Sequence, residues 1–138
     1  YCVESTKPAF TGWWVKLKGF NLSGFKALKL SIKGEPEKGF ANTFKVELKD
    51  AANTKIEFIV KNITDQWKSF TLPFAKFDGN IGLIDWKQMN ELVIVFEDWR
   101  METKTGRYYI DDISFVTKKD ETISFETLKA GSISQIKK

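Results

Sequence analysis

Two places in this sequence set a large flat ring beside charged, hydrogen-bonding side chains. In GWWVKL, Trp14 shares a strand face with Lys16, and in the polar stretch EDWRMETKTG, Trp99 adjoins Arg100 with Glu97 close by. A ring of this kind stacks on the C–H face of a pyranose, while neighbouring carboxylate, ammonium and guanidinium groups bond its hydroxyls. Tyr108 and Tyr109 point to opposite faces of one strand, so one is buried and the other, Tyr109 in this reading, is available. Each candidate has a second reading. Trp14 packs at a sheet edge or under a loop, and Trp99 anchors its own loop to the rim of the fold.

Other chemistries are poorly supplied. The chain has no histidine and one cysteine, Cys2, which removes Ser-His-Asp and Cys-His nucleophile systems, an internal disulfide and His-ligated or multi-cysteine zinc sites. Glu47, Glu57, Glu97 and Asp98 would be the carboxylates of a glycosidase pair, but nothing in their surroundings separates an acid from a base. The expectation is that the protein is not an enzyme. Lys and Arg (22) exceed Asp and Glu (18) by four, and the excess is spread along the chain, so no nucleic-acid partner is expected. No apolar run approaches the ~18 residues of a membrane span.

One stretch resists a simple reading. GRYYIDDISF has the pattern of a buried strand, yet it holds Asp111 and Asp112 side by side. An unpaired buried carboxylate costs several kcal/mol. Either Asp111 accepts backbone N–H bonds or pairs with Lys or Arg while Asp112 faces solvent, or a cation compensates the charge.

The elements that must position these residues are short strands. Leu28, Leu30 and Ile32 alternate with Lys29, Ser31 and Lys33; Phe44, Val46 and Leu48 alternate with Lys45, Glu47 and Lys49. In GWWVKLK, Trp13, Val15 and Leu17 are the apolar set, which predicts Trp13 in the core and Trp14 on the wet face. If neighbouring strands register suitably, Lys45, Glu47 and Lys49 lie on a wet face of the same kind and form the floor of a groove. Further strands are predicted over 55–60, 67–72, 91–96 and 107–115, with a shorter one over 2–5, separated by turn chemistry at NLSG, KGEPEKG, DAANT and FDGN. Only IDWKQMNE reads as a helical turn. Seven or eight such strands in 138 residues predict a single all-β antiparallel sandwich over 1–117, with 118–138 as an extension that adds one strand or serves as a linker.

The order GWWVKL, NLSGFKALKLSIKG, FKVELKD, WKSFTLPFAKF, DWKQMNELVIVFED, GRYYIDDISF resembles the galactose-binding-like jelly rolls of bacterial carbohydrate-binding modules. It is also similar to domains of the complex I intermediate-associated protein type. The likeness runs from about Phe10 to Val116, and it implies that Trp67 and Trp86 pack structurally. It implies a non-catalytic module that holds a polysaccharide or oligosaccharide and targets a linked domain to it, secreted or at the cell surface, and monomeric. The same resemblance implies a structural calcium ion at Asp111, with Asp112 and Glu4 as further oxygen candidates. The alternative it leaves open is a protein-interaction or assembly domain, in which the aromatic loop and wet sheet meet a partner protein.

Overall fold

The structure, a computed structural model, describes residues 10–97 and 106–128. Two antiparallel sheets face each other. The strands are β1 (Phe10–Phe20), β2 (Phe25–Gly34), β3 (Phe44–Asp50), β4 (Lys55–Val60), β5 (Lys68–Pro73), β6 (Asp78–Gly79), β7 (Met89–Glu97), β8 (Tyr108–Thr117) and β9 (Thr122–Ser124). One sheet has the order β1-β7-β3-β4-β6 and the other β5-β2-β8-β9. This is the antiparallel sandwich that the alternation predicts, in the jelly-roll form that the resemblance implies. The predicted strand over 2–5 lies outside the described residues.

The core is the meeting of two apolar faces. Leu17 of β1, Phe44, Val46 and Leu48 of β3, Ile56 of β4, and Leu92 and Ile94 of β7 pack against Leu28, Leu30 and Ile32 of β2, Leu72 of β5 and Phe115 of β8. Burying each such side chain contributes about 1.5–3 kcal/mol relative to leaving it in water. At one end Tyr108 stacks on Phe96 (centroids 5.4 Å, 12° between planes) and donates its hydroxyl to the Ala41 carbonyl.

Three predictions about local structure are corrected. Residues 84–88 form turns rather than the helix predicted over 84–91, because their backbone is claimed from outside: Leu22 N donates to Trp86 O (2.7 Å), Ala51 N to Gln88 O (2.8 Å), and Met89, Asn90 and Glu91 already belong to β7. Trp86 does pack, stacked on Phe74 at 4.4 Å and 17°. Trp67 does not pack: it precedes the edge strand β5 and is 52% exposed. Trp13 lies in β1, also an edge strand, and is 45% exposed, so sharing an alternation with Leu17 does not bury it.

The two aspartates are explained by a bulge. Lys29 pairs with Ser114 and Ser31 with Asp111, so one residue of β2, Leu30, is set against two of β8, Asp112 and Ile113. Asp112 is the extra residue, in the left-handed region at φ 52°, and Asp111 Oδ1 accepts its backbone N–H at 2.8 Å. Without the insertion the inward position after Ile110 would fall on Asp112; with it, Ile113 and Phe115 point inward. Both carboxylates are therefore exposed, and the premise that one is buried is wrong.

Beyond the bulge, β9 pairs with β8 through Ser114–Ser124, Phe115–Ile123 and Val116–Thr122, and Phe125 meets Phe20 at 6.1 Å.

Candidate functional site

Pairing registers place the candidates on rows that cross the five-stranded sheet. Trp14 lies opposite Val93, Val93 opposite Glu47, Glu47 opposite Glu57, and Glu57 opposite Asp78. The neighbouring row runs Lys16, Glu91, Lys49, Lys55, and on the other side Val95, Lys45 and Ile59 follow one another. All of these project from the face away from the core. Trp14, Lys16 and Glu47 thus share one surface, and Lys45, Lys49, Lys55, Glu57 and Glu91 join it.

The surface is a lattice of alternating charge. Lys45 Nζ lies 3.0 Å from Glu47 Oε2 and 3.4 Å from Glu57 Oε2; Lys55 lies 3.5 Å from Glu47 and 3.9 Å from Glu57; Lys49 is 4.0 Å from both Glu47 and Glu91. Lys16 pairs with Glu91. The expectation of a uniformly wet face needs correcting here, since Lys45 and Glu47 are each 6% exposed and buried among their neighbours. Trp14, 54% exposed, stands at the margin as the large accessible ring. The consequence is a floor whose donors and acceptors are held in place before a ligand arrives, flanked by a ring free to stack.

The remaining candidates fall elsewhere. Tyr109 pairs with Lys33 and projects from the other sheet, so it does not join Trp14. Glu97 closes β7, but its side chain lies outside the described residues, as do Trp99, Arg100 and Glu4. Asp111 and Asp112 sit on the β8 bulge and border a cleft of about 470 Å³ whose described lining also includes Trp13, Trp14 and Glu126. That cleft adjoins another of about 400 Å³ with Phe96, Arg107 and Tyr108 in its wall, and the two share Trp13, Ile110 and Ile113. A calcium ion takes six to eight oxygens. Among the described residues no three metal-binding side chains come together, so Asp111 and Asp112 form no complete calcium site with the residues described.

Sequence reasoning set Lys45, Glu47 and Lys49 on one groove floor but did not join Lys55, Glu57 and Glu91 to them. The available signal was the run of Lys and Glu on alternate positions of three segments, FKVELKD, KIEF and NELV; it becomes a lattice only once β7, β3 and β4 are known to be neighbours.

Comparison with solved structures places this fold among carbohydrate-binding modules. A family 11 module from Clostridium thermocellum, in complex with a β-1,3-1,4-mixed-linked tetrasaccharide, superposes with a TM-score of 0.62 at 16% identity, covering 78% of this chain and 68% of that one. The family 30 module of the cellulosomal cellulase Cel9D-Cel44B of the same organism gives 0.61 at 16% identity, over 80% and 69%. No curated protein sequence matches the chain. The family model described as carbohydrate binding domain 30 matches residues 2–117. A non-catalytic fold whose residues 2–117 carry that signature belongs to the family 30 carbohydrate-binding modules, and its role is to bind carbohydrate rather than to cleave it.

Proposed function

We propose that the outer face of the five-stranded sheet is the glycan-binding surface, and that it holds a neutral β-glucan chain lying across the strands. The observation that carries this reading is the half-exposed Trp14 beside a pre-paired Lys/Glu lattice. The indole would stack on one sugar ring, and Lys16, Lys49, Lys55, Glu57 and Glu91 would bond hydroxyls further along. Because the lysines are matched by carboxylates, the surface has no large unbalanced charge to satisfy, which suits an uncharged ligand. The mixed-linked tetrasaccharide bound to the similar family 11 module supports the choice of glucan.

Binding exchanges water hydrogen bonds for glycan ones almost one for one, so single-site affinity is modest. The benefit arises by tethering: a module joined to another domain raises that domain's effective concentration at the polysaccharide. On this reading the protein works outside the cell, secreted or on the cell surface, where polysaccharide is met. We also propose calcium, held through Asp111 with Asp112 and Glu4, as a structural cofactor. A calcium-dependent rise in Tm that Asp111→Asn abolishes would support it; an unchanged Tm would remove it.

Titration of ¹⁵N-labelled protein with the mixed-linked tetrasaccharide tests the surface. The expected result is amide shifts at Trp14, Lys16, Glu47, Lys49 and Glu91. Shifts confined to other parts of the molecule would overturn the assignment.

A further inference from the structure

The outer face of the four-stranded sheet carries a pair of exposed rings that the first surface does not use. Tyr109, 42% exposed, lies opposite Lys33 across the β8–β2 pairing. Lys68 opens β5 opposite Ile32, so the alternation carried one step back puts Trp67, 52% exposed, on the face of Ser69 and Thr71, on the far side of Lys33. The two rings are two strand spacings apart, roughly 10 Å. Between and below them lie Ser31, Ser69 and Asp111 in one row, and Lys29, Thr71 and Ser114 in the next.

The charge on this face differs from that on the other. On the five-stranded sheet Lys16, Lys45, Lys49 and Lys55 all have carboxylate partners. Among the described residues the ammonium groups of Lys29 and Lys33 have none within ion-pairing distance. Asp111, opposite Ser31 on this face, accepts the backbone N–H of Asp112. Two unmatched cations set among hydroxyls and flanked by rings are complementary to a sugar chain that bears carboxylates.

We infer that this face is a second glycan-binding surface, selective for uronate-bearing chains, with Trp67 and Tyr109 stacking on sugar rings and Lys33 and Lys29 meeting the carboxylates. It is independent of the Trp14 surface, and the two can fail separately.

The test is titration of ¹⁵N-labelled protein with a galacturonate oligosaccharide, run beside the neutral mixed-linked β-glucan tetrasaccharide. The oligouronide should shift the amides of Ser31, Lys33, Ser69 and Tyr109 and leave Trp14 and Glu47 unmoved. Raising the salt concentration should weaken it, since exposed charge pairs are screened. Lys33→Ala should weaken binding about fivefold, the upper range for an exposed ion pair, and Trp67→Ala or Tyr109→Ala about tenfold. These side chains are surface-exposed, so the fold should survive each change, as the spectrum itself reports. Silence of these amides, shifts only around Trp14, or equal affinity for the neutral tetrasaccharide on this face would overturn the inference.

Discussion

Lys45 Nζ lies 3.0 Å from Glu47 Oε2 two positions along β3, and both side chains are 8% exposed although they point away from the core. The pair stands at the centre of the five-stranded sheet and is shared with Glu57, Lys55 and Lys49. Removing one member of a buried ion pair costs about 3–5 kcal/mol when the other charge is left uncompensated, a ceiling here because Lys55 (3.5 Å) and Lys49 (4.0 Å) still neighbour Glu47, whereas replacing both by apolar groups is often neutral. Lys45→Met should therefore lower the urea midpoint strongly, and Lys45→Met with Glu47→Leu should recover part of the loss. A single substitution without effect would show that the lattice is not holding the sheet.

Two tryptophans should separate binding from stability. Trp86 is stacked on Phe74 at 4.4 Å, and Trp86→Ala should cost about 3–5 kcal/mol, read as a fall in Tm. Trp14 is half exposed, so Trp14→Ala should leave Tm within a few degrees of the parent.

Asp50 ties the β3–β4 turn to the segment before β7. Its side chain is 1% exposed; Oδ1 accepts from Ala52 N (2.9 Å) and Thr54 N (2.8 Å), and Oδ2 accepts from Asp85 N (2.9 Å). Burial pushes its pKa up, and the backbone bonds from Asp85, Thr54 and Ala52 more than offset that, so the folded value lies below the ordinary one. A group depressed in the folded state contributes its stability fully above the unfolded pKa, about 3.9, and loses it as pH falls through the folded pKa. Asp50→Asn should cost about 2–4 kcal/mol at neutral pH, since an amide N–H₂ then faces the Asp85 N–H, and should flatten the acid limb of a stability–pH profile. An unchanged acid limb would contradict this role.

The β8 bulge makes a backbone prediction. Asp112 holds φ 52°, a region in which a residue other than Gly, Asn or Asp is strained by about 1–2 kcal/mol. Asp112→Gly should match or exceed the parent Tm, and Asp112→Ala should fall below both. If alanine and glycine behave alike, the left-handed bulge is not the native geometry.

The strands were legible where each segment has one wet and one dry side, as in Leu28, Leu30 and Ile32 against Lys29, Ser31 and Lys33. The same local signal misplaced Trp13, and the family resemblance misplaced Trp67, because edge exposure depends on strand order, and strand order is set by pairings distant in the chain. Lys45 and Glu47 carried the pattern of a solvated face; their burial follows from β3 lying between β7 and β4. The bulge did leave a trace. Ile110 and Ile113 both face inward but are separated by an odd number of positions, which a regular strand does not permit without an inserted residue.

A polysaccharide gripped through the indole of Trp14, on the charged lattice of the five-stranded sheet, should lose its hold when that ring is removed. Affinity electrophoresis through gels containing mixed-linked β-glucan, comparing parent protein with Trp14→Ala, addresses it most directly. The parent should be retarded and Trp14→Ala should migrate nearly as in a glucan-free gel, an apparent loss of about tenfold or more in affinity, about 1.4 kcal/mol. Equal retardation of a fully folded Trp14→Ala would contradict the account.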